Sequence, residues 1–450
     1  MVVQHNMQAA NANRMLNVTT GQQAKSTEKL SSGYRINRAA DDAAGLTISE
    51  KMRKQIKGLD RASTNAEDGV SAVQTAEGAL TEVHSMLQRM NELATQSANG
   101  TNSNTDRKAI QDEIDQLTTE IDRVSETTKF NETYLLKGDG AEKAHNVNAH
   151  DAGLDGVTLT DKGDTVAVTL KELNAGDKIS IAGKNYTIGA TETDAKNLYQ
   201  NVKTDGTETV TVSGKTYTVQ DTDPKANKNE ISKAELDKIV QAGATVEYKG
   251  KSLTVMDADK NGVDKKDSSV INTDAAYKLE SAEIVKASSI GTDTKATAGA
   301  LNKNTFDLTK GKVNYNDALS FNLHVGADAD MTNKITVNID SMNSAGLGVK
   351  GIKADTEQDA TYAIDAIADA ISTVSSQRSS LGAVQNRLEH TINNLDNVVE
   401  NTTTAESRIR DTDMASEMVN YSKNNILAQA GQSMLAQANQ SNQGVLSLLQ

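Results

Sequence analysis

The stretch "NAEDGVSAVQTAEGALTEVHSMLQRMNELATQS", residues 65–97, carries the residue pattern from which the fold of this chain is predicted. From Ile48 to Ser97, apolar and small residues recur every seven positions, and a companion series lies three residues further along. This periodicity predicts a long helix with a coiled-coil seam. The first series is Leu59, Ala66, Val73, Leu80, Leu87 and Ala94, and the companion series is Ala62, Gly69, Ala76, Val83 and Met90.

Two other stretches have the same kind of spacing. After the polar turn "SANGTNSNTD" (97–106), the segment "QDEIDQLTTEIDRVSE" (111–126) carries apolar residues at helical intervals. Near the far end, a seven-residue repeat runs from Ile367 to Leu395. A helix on the order of 60 Å long cannot bury such a stripe alone in a compact globule. We therefore predict a mainly α fold with a long antiparallel coiled-coil core made from both ends of the chain.

The composition excludes several classes of protein. Only 36% of the residues are hydrophobic and 3% aromatic, which is unlike an aromatic-rich enzyme core. A single proline permits very long helices. The net charge of −14 repels nucleic acid, and the lack of cysteine excludes disulfides and thiolate chemistry. No apolar run approaches the length of a membrane span, and the first residues lack the pattern of a cleaved signal.

The middle of the chain, residues 141–317, has a different period. Segments such as "TVAVTL" and "ETVTV" alternate polar and β-branched residues, which predicts short strands in a β-rich insert. Three segments, "IAGKNYTI" (181–188), "VSGKTYTV" (212–219) and "YKGKSLTV" (248–255), predict β-hairpins. One helix is predicted in "NEISKAELDKIV" (229–240).

The two ends, residues 1–44 and 405–450, are rich in Ala, Asn, Gln and Ser. Their sparse apolar residues cannot offset the entropy of ordering, so we expect each end to be disordered in a free monomer and helical against a partner. Apolar ends of this kind indicate polymerisation. The apolar residues expected to carry it are Leu16, Leu30, Ile426, Leu435, Val445, Leu446 and Leu449.

No motif in the sequence predicts catalysis. There is no phosphate-binding loop, no paired-histidine zinc helix and no G-x-S-x-G elbow. His145 and His150 are interpreted as solvated side chains. The segment beginning at Asp257 starts like a calcium loop, but Ser268 stands where the bidentate acid belongs. We expect neither an enzyme nor a cofactor or metal site.

Asp41 and Asp42 raise the question of a catalytic pair. Adjacent acids on one backbone do not face each other, so they are badly placed for joint acid and base roles. One of the two is better placed to start the helix that continues through Leu46.

Five stretches together closely resemble bacterial flagellin. The resemblance covers about residues 1–140 and 319–450, in the order of the family. The stretches are "LSSGYRINRAADDAAGLTISEKM" (30–52), "NAEDGVSAVQTAEGALTEVHSMLQRMNELATQSANGT" (65–101), "SSLGAVQNRLEHTINNL" (379–395), "ESRIRDTDMASEM" (406–418) and "ILAQAGQSMLAQANQSNQGVLSLLQ" (426–450).

The resemblance implies three domains. The innermost is helical and consists of residues 1–44 with 405–450, the next is the coiled-coil core of 45–140 with 318–404, and the variable insert 141–317 faces outside. The joint between the first two domains would contain Arg35, Asn37, Asp41 and Asp42.

The resemblance also implies a subunit that polymerises with itself into the extracellular flagellar filament used for swimming. Export would pass through the flagellum's own type III channel as an unfolded chain. A chaperone would cover the C-terminal segment around 426–449, and filament cap and hook-junction proteins would be further partners.

A last implied partner is host Toll-like receptor 5. The matching positions are Arg89, Leu93 and Gln96, with Glu113 nearby on the next helix. We expect an arginine hot spot beside an aliphatic side chain that projects from the helix face. Leu93 and Glu113 also lie where filament subunits are expected to touch, so a structural role stays open. Ala10 departs from the large aliphatic residue usual in the family.

Two alternatives remain. A hook-filament junction protein shares helical ends but would lack so long an insert. An enzyme or carbohydrate-binding module displayed in the insert would need a cluster of acids or aromatics on one strand face, where the sequence offers scattered tyrosines such as Tyr186, Tyr217 and Tyr248.

Overall fold

A computed structural model of the protein describes residues 6–221 and 229–447, and within them the side chains up to residue 441. This part of the chain contains eight α-helices. They are α1 (Met7–Ser32), α2 (Ala43–Ser97), α3 (Asn104–Thr127), α4 (Glu192–Leu198), α5 (Lys233–Ile239), α6 (Thr273–Ala287), α7 (Glu357–Arg410) and α8 (Met414–Ser447).

The strands lie between α3 and α7. They are β1 (Lys129–Phe130), β2 (Thr133–Tyr134), β3 (Asp139–Asn146), β4 (Thr158–Asp161), β5 (Thr165–Thr169), β6 (Lys178–Ile181), β7 (Lys184–Ile188), β8 (Asp205–Val212), β9 (Lys215–Gln220), β10 (Glu230–Ser232), β11 (Thr245–Tyr248), β12 (Lys251–Thr254), β13 (Val270–Ile271), β14 (Thr297–Ala298), β15 (Thr305–Thr309), β16 (Lys312–Asp317), β17 (Leu319–His324) and β18 (Lys334–Ile339). The prediction of helical ends around a β-rich middle is confirmed.

Polar side chains start the long helices. Ser103 and Asp106 form a reciprocal capping box at the start of α3, since each side chain accepts a hydrogen bond from the other's backbone N–H. At the start of α7 the Thr356 hydroxyl accepts a hydrogen bond from the Asp359 N–H at 3.0 Å. The chain's one proline is residue 224, so no proline interrupts α2 or α7.

The predicted apolar stripes of α2 and α7 are buried. In α2, Val73, Leu80 and Leu87 are fully enclosed, and the companion series is buried as well. In α7, Leu381 and Leu388 are fully enclosed. The prediction of one apolar face per helix is confirmed, whereas supercoiled pairing of the two helices stays a prediction.

The chain divides into two compact units. The first consists of residues up to Ser71, the segment Asn322–Val337 and residues from Ala383 onward. Within it, α1 packs along α8. A small apolar cluster forms around Ala66, Ile335 and Leu388, and Leu323 packs at its edge. A Cβ on Gly69 would lie 2.2 Å from Leu323 Cδ1, so the glycine makes room for that side chain.

The second unit consists of Ala72–Phe321 and Asn338–Gly382. It contains a five-stranded sheet of order β10-β9-β8-β11-β12, a four-stranded sheet β14-β15-β5-β4 and a three-stranded sheet β13-β7-β6. The five-stranded sheet is antiparallel except where β10 runs parallel to β9. It covers its own apolar cluster around Tyr199, while the other two sheets and α6 enclose a second cluster around Val168 and Ile284.

The three predicted hairpins are confirmed as β6–β7, β8–β9 and β11–β12. Each turn has two residues, and both carry positive φ, as at Ser213 (51°) and Gly214 (79°). A pair of left-handed residues is the conformation whose twist matches two right-twisted strands. Glycine at the second position accepts it without steric cost, and the lysine that follows begins the next strand.

The predicted helix over 229–240 is wrong in its first half. Glu230–Ser232 pairs as a strand with β9, and the helix begins only at Lys233 because the Ser232 hydroxyl caps it through the Glu235 N–H at 3.3 Å. Helices α4 and α6 lie in the insert where only strands were expected. Among the described residues, no helix has both the length and the apolar character needed to cross a membrane.

Candidate functional site

The paired terminal helices α1 and α8 form the first candidate site. The Asn6 side chain caps α1 by accepting a hydrogen bond from the Ala9 N–H at 2.9 Å, and its amide donates to the Ala438 carbonyl on α8 at 3.3 Å. Leu16 packs over Gly431, where an added Cβ would meet Leu16 Cδ1 at 3.4 Å. Leu16, Leu30 and Leu435 are half-buried in this pair.

Many apolar side chains of this helix pair remain exposed to water. Exposed apolar patches of this kind mark surfaces that bind other proteins. Ile426, one of the predicted polymerisation residues, is 67% exposed. We call the uncovered set the apolar terminal face. Its members are Met7, Met15 and Val18 on α1 and Met414, Met418, Val419, Ile426, Leu427 and Met434 on α8. The predicted residues Val445, Leu446 and Leu449 lie outside the described side chains.

The joint between the terminal and long helices is held by backbone contacts. Gly33 ends α1 at φ +77°, and Tyr34 forms a β-bridge with Asp411. The Arg35 N–H donates to the Arg410 carbonyl at 2.6 Å, and the Arg35 guanidinium donates to the Ile409 carbonyl. The Arg410 guanidinium lies over the Tyr34 ring at 4.8 Å. The break between α1 and α2 therefore lies beside the break between α7 and α8.

Asp41 and Asp42 serve two different turns. The Asp42 carboxylate accepts a hydrogen bond from the Gly45 N–H at 2.8 Å and so caps α2. The Asp41 carboxylate accepts from the Arg38 and Asn37 N–H groups at 2.9 and 3.2 Å, and these bonds, that from Arg38 first, lower its pKa. The two carboxylates bind different backbone N–H groups and do not share one. The geometry therefore matches a structural joint rather than an acid and base pair.

The predicted receptor residues lie on α2 and α3 in the second unit. Arg89 Nε donates to Glu113 Oε1 at 2.9 Å, and Arg89 Nη1 lies 3.2 Å from Glu92. These hydrogen bonds, that to Glu113 foremost, raise the pKa of Arg89. Gln96 is exposed. The structure therefore brings Arg89 and Glu113 together on an open surface.

Leu93 departs from its prediction. Its side chain is 2% exposed and lies among the buried residues of α2, because position 93 falls next to the buried Ala94 and Met90 on the inward face. In the described chain Leu93 therefore offers no open surface beside Arg89, and its part in receptor binding stays a prediction.

The predicted solvated histidines and the calcium-like loop have local roles. His145 stacks on Tyr315 at 4.0 Å, and the His150 N–H donates to the Ser288 hydroxyl at 3.0 Å. In the loop, the Asp259 carboxylate accepts hydrogen bonds from the backbone of Asn261 and Val263. Within residues 6–221 and 229–447, no three His, Asp or Glu side chains are grouped as metal ligands would be.

A polar network between α6 and α7 was not predicted from the sequence. Glu283 is nearly buried and accepts hydrogen bonds from the Tyr362 hydroxyl at 2.7 Å, from Lys286 Nζ at 2.9 Å and from the Gln358 amide. Burial raises the pKa of Tyr362. The capping residue Asn272, whose side chain accepts from the Ala275 N–H, was the sequence signal that could have revealed α6.

Comparison with known proteins gives a consistent result. The family described as bacterial flagellin N-terminal helical region matches residues 3–141, and the bacterial flagellin C-terminal helical region matches residues 364–449. A flagellin of Clostridium tyrobutyricum is 42% identical over 98% of this chain and 100% of its own length. A flagellin of Bacillus subtilis is 36% identical over all of both chains, and flagellin B of Vibrio anguillarum is 34% identical over 99% of each.

These matches include the insert as well as both helical ends, so they extend beyond the five stretches on which the resemblance first rested. The resemblance to flagellin is confirmed. The chain belongs to the bacterial flagellins, structural proteins of the flagellar filament and not enzymes.

Proposed function

We propose that this chain builds an extracellular filament for swimming by polymerising through its apolar terminal face. The observation that carries the proposal is the set of uncovered side chains on α1 and α8, of which Val419 is 68% and Ile426 67% exposed. A second copy of the same helix pair supplies a matching apolar surface. When such a contact does not close on itself, the copies form an open helix.

The domain assignment follows the same proposal. Residues 1–44 with 405–450 form the innermost domain, 45–140 with 318–404 form a coiled-coil core, and 141–317 form the outer insert. In the free monomer the innermost domain is disordered, because few apolar residues are buried between α1 and α8 without neighbouring copies.

Further partners follow from the exposed segment of α8. Ile426, Leu427 and Met434 are all exposed within one stretch of nine residues, which suits a chaperone that covers this segment before type III export. The same helix pair would contact the filament cap and the hook-junction proteins at the two ends of the polymer.

The test is assembly of purified monomer, followed by electron microscopy. The variant Ile426→Ser with Met434→Ser should raise the concentration needed for filaments at least tenfold, since two exposed apolar contacts are lost in every subunit interface. Gln432→Ser, an exposed polar position on the same helix, is the matched control and should assemble normally.

A truncation lacking residues 1–44 and 405–450 should remain monomeric. Filaments from the truncation, or normal assembly of the double serine variant, would show that the polymer forms through another surface. Equal loss of assembly in the Gln432→Ser control would show that the apolar character of these side chains does not drive filament assembly.

We propose as a second function that the monomer is recognised by Toll-like receptor 5. What supports it is the exposed Arg89–Glu113 pair, with both side chains about half accessible and Gln96 on the same helix. An arginine with a fixed orientation is a frequent hot spot of protein interfaces. The buried Leu93 contributes by holding the helix surface in place.

Receptor activation by monomer on reporter cells tests this second function. Arg89→Ala should raise the half-maximal concentration at least tenfold. Arg123→Ala is the matched control, because Arg123 on α3 is also exposed and ion-paired, with Glu120. Equal responses of the two variants would rule out Arg89 as a contact.

A further inference from the structure

A cleft of about 630 Å³ lies in the second unit beside the end of α6. Its walls are the turn that follows α6, the turn at residues 350–353 and the first turns of α7. Pockets of this size hold small organic ligands. We call it the lysine cleft, because four lysines surround it: Lys286, Lys295, Lys350 and Lys353.

Four lysines at one cleft stand out in a chain whose net charge is −14. Two of them are oriented by ion pairs, Lys286 with Glu283 at 2.9 Å and Lys350 with Asp293 at 2.7 Å. Lys295 and Lys353 are exposed, and no carboxylate pairs with either among the described residues. The cleft thus has two cationic groups free to bind an anion.

The floor of the cleft is apolar. Val285, Ile290 and the ring of Tyr362 line it. The Tyr362 side chain is fixed, since its hydroxyl donates to the buried Glu283 at 2.7 Å. A ligand that fills the cleft therefore needs a non-polar face as well as negative charge.

Two carboxylates also reach the cleft, and they narrow the class of ligand. Asp293 accepts hydrogen bonds from Lys350 and the Asn314 N–H, and Asp359 accepts one from the Thr356 hydroxyl. Each retains further acceptor capacity. They would repel a bare phosphate, whereas they can accept hydrogen bonds from hydroxyl groups of a ligand. Lysines next to carboxylates suit a ligand with both carboxylates and hydroxyls.

The turn after α6 is built to a fixed shape. Gly291 has φ +71°, and a Cβ there would lie 2.2 Å from the Gly348 carbonyl oxygen. The Ser289 hydroxyl accepts a hydrogen bond from the Ala296 N–H at 3.1 Å. These contacts hold the wall carrying Lys295 in place before any ligand arrives, which reduces the entropy cost of binding.

We propose that the lysine cleft binds an acidic carbohydrate. Uronic-acid carboxylates would lie against Lys295 and Lys353, sugar hydroxyls would donate to Asp293 and Asp359, and the C–H face of a ring would pack on the half-buried Val285 and Ile290. This site lies in the second unit, whereas the apolar terminal face belongs to the first.

The test is isothermal titration calorimetry of the full-length monomer with digalacturonic acid at low salt. Lactose serves as an uncharged disaccharide, and inorganic phosphate as an anion without a sugar. We expect binding of digalacturonic acid alone, weakened several-fold by 0.3 M NaCl because exposed charges are screened.

The double variant Lys295→Glu with Lys353→Glu should bind at least tenfold more weakly. Lys184→Glu with Lys251→Glu changes the net charge equally at exposed hairpin positions and should bind like the parent chain. Circular dichroism would verify that both variants are folded. The proposal is overturned if digalacturonic acid does not bind, if phosphate binds as tightly, or if both double variants lose affinity equally.

Discussion

Asp42 illustrates how one side chain determines where a long helix begins. Its carboxylate satisfies the Gly45 N–H, one of the amide groups that the first turn of α2 leaves without a helical partner. Asp41, its neighbour, satisfies two N–H groups of the preceding turn. The start of a 55-residue helix thus depends on a local contact that sequence reasoning could recognise.

Replacing Asp42 by alanine removes this cap. We expect Asp42→Ala to lower the free energy of unfolding by about 1 kcal/mol, the usual effect of losing a helix N-cap. Asp60→Ala is the control, since Asp60 is exposed in the interior of α2 and caps nothing. Urea denaturation followed by circular dichroism measures both. A loss as large in Asp60→Ala as in Asp42→Ala would contradict the capping role.

Burial of single residues was harder to predict than their role in capping. The heptad pattern assigned Met90 and Ala94 to the inward face, whereas the resemblance implied that Leu93 between them contacts a partner, and all three residues are buried. The Glu283–Tyr362 contact joins residues 79 positions apart, so no local spacing could reveal it. Contacts of this kind depend on how the insert folds back on α7, which periodicity does not encode.

Gly69 and Gly78 of α2 give a matched comparison of two glycines inside one helix. A Cβ at Gly69 would lie 2.2 Å from Leu323 Cδ1, whereas nothing lies within 4 Å of a Cβ at Gly78. Alanine is favoured over glycine inside a helix by about 1 kcal/mol. The two positions therefore differ in packing but not in backbone conformation.

We expect Gly78→Ala to stabilise the chain by up to about 1 kcal/mol. Gly69→Ala should destabilise it by about 1 kcal/mol, because displacement of Leu323 outweighs the gain in helix propensity. Thermal unfolding of both variants at one pH checks the pair. Equal stabilisation by both would mean that Leu323 moves aside freely and that β17 does not pack closely on α2.

The elements with strong local signals were predictable. The hairpin β8–β9 follows from alternating β-branched residues around Ser213-Gly214. Residues 229–240 were not predictable in the same way, since β10 exists only through its parallel pairing with β9. The heptad repeats predicted the long helices α2 and α7, whereas the seven-residue α4 depends on the apolar core that it covers.

The buried Glu280 links the stability of the folded chain to pH. Its side chain is 6% exposed, and Oε2 has no hydrogen-bond partner among the described residues. Burial raises the pKa of Glu280 from 4.5 to about 7. The folded state thus holds this proton more tightly than the unfolded state. The resulting stability is fully present below pH 4.5 and is lost as the pH rises through 7.

We expect the variant Glu280→Gln to keep its free energy of unfolding as the pH rises, because the glutamine side chain stays neutral. Between pH 5 and pH 8 the parent chain should lose about 2 kcal/mol more of its free energy of unfolding than the variant does. Comparing the two chains at each pH cancels the titration of all other groups. The same pH dependence in both chains would mean that Glu280 is ionised without cost in the folded state.

The bridge between Tyr34 and Asp411 also sets the order in which the chain can fold during its synthesis. At a ribosomal rate of about 5–20 residues per second, roughly 20 to 80 s separate the appearance of these two residues. Throughout that interval α8, the helix along which α1 packs, has not yet been synthesised. Closure of the first unit is therefore the last folding event that translation permits, and any protein that binds the emerging C-terminal segment competes directly with α1 for it.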